Sequence, residues 1–296
     1  MQNPEPTFSE GRAKFALPAL IMGGVLIGCS PIFVRLSEVG SVSTAFWRLA
    51  LALVPLLLMA RSGKGDARPA TWADRVTVAL PGVILGAELV SWHISLHMTS
   101  VANSTLLVNM APVFVVLISW AFLGKRPGGL FLLALAITIA GVVVLKGGPA
   151  ALRGGDLAGD GVAIFAALLY AAYILMLGRA RTRFSTPVIM LYSTTAAALA
   201  VLPFAILTEP AQVPVTLIGW AVLCGLSWVS QAGGQSLIAW ALAFLPATFS
   251  SLTLLLQPVV AAVLAWAVLD EALTVMQTIG GMIVLTGIFI ARKAQA

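Results

Sequence analysis

Charge is what this sequence has least of. Only 9% of its 296 residues are Asp, Glu, Lys or Arg, against about 25% in soluble domains, and that shortage excludes a water-soluble fold. Cysteine is scarce too. Cys29 and Cys224 both sit inside apolar runs and read as small buried thiols, not as a disulfide or a metal site. The histidines are His93 and His97, spaced i, i+4 on one helix face with no further Cys, His or acid nearby, too few ligands for a metal. A G-x-x-x-x-G-K-[ST] loop is missing, which excludes a built-in ATPase. H-E-x-x-H, G-x-S-x-G and a mid-membrane acid pair are missing as well, so no enzyme and no cofactor is implied. Strand alternation of the outer-membrane-barrel kind is absent. The net charge of +6 does not mark a nucleic-acid binder, because the basic residues are scattered through short gaps between apolar runs and act as topogenic charge.

What the chain has is apolar length. Hydrophobic residues make up 60% and mean hydropathy is +1.02. Ten apolar runs stand out, at 15–34, 42–60, 76–97, 101–123, 128–145, 158–178, 186–207, 216–240, 247–269 and 275–291. Most approach the roughly 20 residues that a spanning helix needs. With no water to satisfy stray backbone groups, helices are the expected solution. The first run is too long for the core of a cleavable signal and reads as a retained helix. Glycines and prolines punctuate the linkers, among them Gly63, Gly65, Pro69, Gly147 to Pro149 and Gly154-Gly155.

The runs repeat. Residues 101–146 return at 247–292, offset by 146, so that Pro112 falls on Pro258, Trp120 on Trp266 and Gly141 on Gly287. The turn between the paired helices changes sign, Lys125-Arg126 in one copy and Asp270-Glu271 in the other. With a cytoplasmic N-terminus, thirteen of the seventeen basic residues fall inside, while Glu38, Asp156, Asp160, Glu209, Asp270 and Glu271 fall outside. The positive-inside rule therefore predicts that both termini are cytoplasmic. Five helices per copy is an odd number, so the second copy enters the membrane inverted. The expected fold is an all-α polytopic membrane protein of ten transmembrane helices in two inverted five-helix repeats. Its parts are a cytoplasmic tail (1–13), a first repeat (14–146), an external linker (147–157) and a second repeat (158–292). Inverted repeats are the architecture of many secondary transporters, with the site near mid-membrane at the repeat interface.

At this point the chain resembles the drug/metabolite transporter superfamily, EamA type. The resemblance spans residues 15–292 and is carried by LHMTSVANSTLLVNMAPVF, the Pro112/Pro258 pair, the turn GKRP and the glycine-bearing fifth and tenth helices. The chain is most similar to bacterial amino-acid exporters, those for aromatic amino acids included. The resemblance implies a carrier in the bacterial inner membrane that exports neutral or aromatic amino acids, or related metabolites or drugs, by alternating access. It also implies a cavity between helices 1, 3, 4, 6, 8 and 9, a small-molecule substrate and a lipid bilayer as the only other partners, and no metal or nucleic acid.

Polar residues within the runs are the site candidates, since an intramembrane ionisable group costs a few kcal/mol on insertion scales. Arg48 lies about 9 Å and Glu88 about 13 Å below the external end of their helices. They are expected either to form a structural ion pair or to couple transport to protons. Trp92 and His93 adjoin on the third helix. Tyr170 and Tyr173 fall at i, i+3 on the sixth, and Trp228, Gln231 and Gln235 at i, i+3, i+7 on the eighth. Asn109 precedes Pro112 and Gln257 precedes Pro258. Together these supply neutral donors, acceptors and aromatic walls for an amino acid; singly, each is also ordinary interhelical polar contact. Pro112 and Pro258 each remove a helical hydrogen bond and should kink their helices, as hinges or as fixed bends. The topology has a direct test. A fluorescent protein fused after residue 296 should fold and fluoresce in a bacterial host, whereas alkaline phosphatase fused there should stay inactive.

Overall fold

The computed structural model describes residues 10–62, 67–148 and 156–294. Residues 1–9 of the tail, Gly63 to Gly65 and residues 149–155 of the linker lie outside the described residues. Among the described residues all regular structure is helical. Nine helices among the described residues are long and apolar enough to cross a membrane: α1 Gly11–Arg35, α2 Ser41–Ser62, α3 Trp72–Met98, α4 Asn103–Leu123, α6 Leu157–Ala180, α7 Thr186–Thr208, α8 Leu217–Ala241, α9 Ala247–Leu269 and α10 Val275–Lys293. The shorter α5, Gly129–Leu145, has 17 residues, the low end of what a span requires.

Packing partners recur when each helix number is shifted by five. Helix α3 packs on α6 as α8 packs on α1, and α4 on α6 as α9 on α1. The pairs α5–α10, α2–α7 and α4–α9 map onto themselves. Small residues make the tightest crossings possible. A Cβ on Gly82 of α3 would lie 1.8 Å from the Ser193 carbonyl oxygen of α7, and one on Gly287 of α10 would strike Thr138 of α5. Lipid supplies no hydrophobic drive between helices, so this backbone-level contact is what holds them together.

Both expected breaks occur. The fourth helix divides into Val101–Val108 and Ala111–Leu123, and the ninth into Ala247–Thr253 and Leu256–Leu269, with Pro112 and Pro258 in the first turn of each second piece. A proline lacks the N–H and fits only where that donor is not needed. The matching turns share a backbone shape despite their opposite charge. Gly124 has φ 65° and Asp270, its counterpart at an offset of 146, has φ 54°. Asp is one of the few residues that tolerate this left-handed region.

Sequence patterning missed two features. Helix α3 begins at Trp72, ahead of the apolar run at 76, because Thr71 and Asp74 form a reciprocal capping box that makes a polar first turn stable. The eighth helix contains a π-helical segment, Leu226–Gly234, which no periodicity announced.

One end of the bundle is cross-tied between the first five and the last five helices. Arg35 pairs with Glu271. Glu38 accepts from the Val215 and Thr216 N–H groups and the Thr216 hydroxyl, and these bonds hold its carboxyl below the usual carboxylate pKa. Glu209 accepts from the Val42 and Ser43 N–H groups at 2.8 Å each, a carboxylate at the N-terminus of α2. Asp160 accepts from Thr99 and Asn103. At the other end Arg183 pairs with Asp74 at 2.9 Å. The left-handed turn at Asp270 generates a prediction: Asp270→Val should lower stability by about 1–2 kcal/mol, and Asp270→Gly should hold or raise it. Thermal unfolding of the purified protein in detergent reads both.

Candidate functional site

The polar residues of six helices converge inside the bundle. Arg48 of α2 donates from Nε to Gln231 Oε1 of α8 at 3.2 Å. Gln231 passes the chain on from Nε2 to Thr194 Oγ1 of α7 at 3.4 Å. Glu88 of α3 and both Tyr170 and Tyr173 of α6 lie within electrostatic reach of the Arg48 guanidinium. The tyrosine rings sit 5.9 Å apart with a 32° tilt. The Tyr170 hydroxyl meets the side-chain amides of Gln235 on α8 and Gln257 on α9. Glu88, Tyr173, Gln231 and Gln235 are each at most 5% exposed. The Tyr173 hydroxyl and Gln235 Oε1 are buried without a hydrogen-bond partner. Such orphaned groups are rare in native interiors, and they fit a polar guest.

Arg48 and Glu88 share this cluster without touching. Among the described residues the ion pairs within 4.0 Å are Arg35–Glu271 and Arg183–Asp74. Arg48 spends its Nε–H on the neutral Gln231 amide, and Glu88 acts on it as a nearby counter-charge.

Local backbone demands explain why α2 and α8 meet here. Pro55 has no N–H, so the Leu51 carbonyl of α2 lacks its helical donor. The Trp228 indole N–H supplies one at 3.2 Å. The Ser227 hydroxyl donates to the Arg48 carbonyl at 2.7 Å, and the Ser230 hydroxyl to Leu26 of α1 at 2.8 Å. All three donors lie in the π-helical segment, whose i to i+5 bonding widens the turn and recurs at functional sites.

Widening also breaks the expected stripe. Gln231 is 1% exposed, but Trp228 is 52% exposed and turns away from the cluster into a cavity of ≈ 960 Å³ beside Trp240 and Arg181. His93 is set apart as well. Its Nδ1 lies 2.6 Å from the Leu89 carbonyl, and its ring faces the Ser41 backbone and Glu209, at the start of α2. Trp92 packs edge-on against His93 at 5.2 Å, and its indole N–H is buried without a partner. Asn109 donates to the Thr105 carbonyl at 2.8 Å and closes the broken turn of α4. Pro258 is buried and Pro112 lies among the buried residues of its helix. Thr194 and Ser227 were not legible as site residues, since a hydroxyl in an apolar helix most often bonds its own backbone.

Similarity to known proteins places this arrangement. The chain is 28% identical over 278 residues to a transporter of Archaeoglobus fulgidus described as uncharacterized, covering 94% of this chain and 96% of that one. It is 26% identical over 243 residues to the pseudopaline exporter CntI of Pseudomonas aeruginosa, covering 81% and 82%. One crystal structure shares the fold with a TM-score of 0.76 at 19% identity, over 96% of this chain and 98% of the other.

The buried charges generate a prediction. Arg48→Met leaves Glu88 without its counter-charge and should cost about 3 kcal/mol of stability, most of which Arg48→Met/Glu88→Gln should restore. Melting curves of the three proteins check it. The EamA-like transporter profile matches twice, over residues 14–146 and 157–292, and the chain belongs to that family.

Proposed function

We propose that the chain is a secondary carrier that exports amino acids, aromatic or otherwise neutral, across the bacterial inner membrane by alternating access, with the Arg48–Glu88–Tyr170–Gln231 cluster as its substrate site. The observation that carries this reading is the pair of opposite charges held apart among buried amides and tyrosines. Arg48 and Gln231 suit a carboxylate, Glu88 suits an ammonium, and Tyr170 and Tyr173 offer a wall to an apolar side chain. A zwitterion that bridged Arg48 and Glu88 would neutralise both. We take Asn109 and Gln257, each beside a helix break, as secondary contacts, and Trp92 and His93 as groups nearer the tied end.

The two matched halves are read as inverted repeats, which the shift-by-five packing supports. The charge distribution supports cytoplasmic termini. The tied end, with Arg35, Glu38, Glu209 and Glu271, is then external, and Pro112 and Pro258 sit where a hinge would act. A second reading, export of a metabolite other than an amino acid, is favoured by the relative that exports pseudopaline.

Proteoliposomes decide between them. Uptake of radiolabelled amino acids should saturate and fall at least about tenfold in Gln231→Leu, consistent with about 1.5 kcal/mol for a lost charge-assisted bond, and should fall too in Tyr170→Ala, which removes the aromatic wall. If no amino acid moves while the protein is folded, the substrate assignment is overturned and the second reading stands. Dependence on an imposed pH gradient, lost in Glu88→Gln, would make Glu88 the coupling group.

A further inference from the structure

The cavity into which Trp228 turns is separate from the polar cluster. It lies between α2, the α6–α7 turn and α8, and measures ≈ 960 Å³. Three guanidiniums, Arg12, Arg181 and Arg183, line it with no carboxylate among the lining residues. The Arg181 side chain is braced by the Ala239 and Phe184 carbonyls. Asp74 pairs with Arg183 but does not line the cavity. Thr186, in the first turn of α7, and Ser236 of α8 also line it. Each is 6% exposed, and neither side-chain oxygen has a hydrogen-bond partner. Arginines and the N-terminus of a 23-residue helix therefore line one crevice, the chemistry of an oxyanion site.

The remainder of the cavity is apolar. Trp228 and Trp240 line it, twelve positions apart on α8, which is about 18 Å along a helix axis. Met59 of α2 and Trp228 are 41% and 52% exposed on its walls. A soluble anion would leave this length of apolar wall unused. A phosphate ester with an acyl chain uses both parts, the headgroup at the arginines and the chain against the tryptophans.

We infer that this crevice is a binding site for one acidic phospholipid, held by its phosphate at Arg12 and Arg183 beside the N-terminus of α7, with an acyl chain along Trp228 and Trp240. Basic pockets between helices on the cytoplasmic side hold anionic headgroups in this way. The inference rests on the topology proposed above only for which leaflet supplies the lipid. Because the Trp228 indole also clamps α2 to α8, an occupant here touches the helices that carry Arg48 and Gln231.

The test uses the full chain in detergent, with native mass spectrometry counting retained lipid and thermal unfolding as a second readout. Phosphatidylglycerol should be retained and raise the melting temperature, and phosphatidylcholine at the same concentration should not. In Arg12→Gln/Arg183→Gln the preference should fall about thirtyfold, two basic groups at about 1 kcal/mol each. Equal retention of the two lipids, or a preference that survives the double substitution, would overturn the inference. Displacement of phosphatidylglycerol by inorganic phosphate would overturn it too, in favour of a free-anion site. Loss of amino-acid transport with lipid binding intact would count against the function proposed above and not against this site.

Discussion

Every peptide N–H and C=O inside a bilayer must find its partner within the protein, and that one constraint organises this molecule. It makes the chain helical, and it makes each helix break costly. Beside the breaks, side chains add donors to carbonyls of the last turn. Cys29 reaches back to the Val25 carbonyl where α1 divides. Asn109 and Thr105 do the same in α4, and Thr253 and Ser251 in α9. At Pro55 the repair comes from another helix, through Trp228. Mending one helix thus fixes its contact with the next, and the α2–α8 contact is where Arg48 meets Gln231.

The fold was legible because lipid leaves so little choice. Ten apolar runs, a gapless repeat of one segment in another and paired prolines are visible in the chain. The helices and both breaks follow them closely. The site was legible in part. Arg48, Glu88, Tyr170, Tyr173, Gln231 and Gln257 stood out as polar groups in apolar surroundings, and the fold brings them together. Trp228 misled because a 3.6-residue period was assumed across Leu226–Gly234, where the backbone adopts a wider turn. His93 and Trp92 misled for another reason. Depth along a helix can be counted from sequence, but the face it presents to its neighbours cannot, and theirs looks toward the start of α2. Thr194 carried no signal at all, since its role depends on where Gln231 reaches.

Glycine sets the scale on which these helices meet. Gly82 against Ser193 and Gly287 against Thr138 bring backbones too near for any side chain. Such contact is rigid within each pair, so larger changes of shape must fall elsewhere. The candidates are the broken helices α4 and α9 and the π-helical part of α8, the last two of which carry Gln257 and Gln231 of the polar cluster. Rigid pairs beside interrupted helices are a sensible construction for a transporter, because they leave the interrupted helices as the parts free to change shape.

The contact between Arg35 and Glu271 bears on how such a carrier would rest. Both side chains are largely in solvent, 62% and 47% exposed, and a pair of this kind is worth about 0–1 kcal/mol. At that strength it changes a two-state ratio by about fivefold or less. Its counterparts at an offset of 146 are Arg181 and Lys125, two cations, and the opposite end is tied instead by a different pair, Arg183 with Asp74. The two ends of a nearly symmetric molecule are therefore latched by different pairs, one largely in solvent and one with a sheltered carboxylate, so neither latch is a copy of the other and the exposed one is light enough for thermal motion to open.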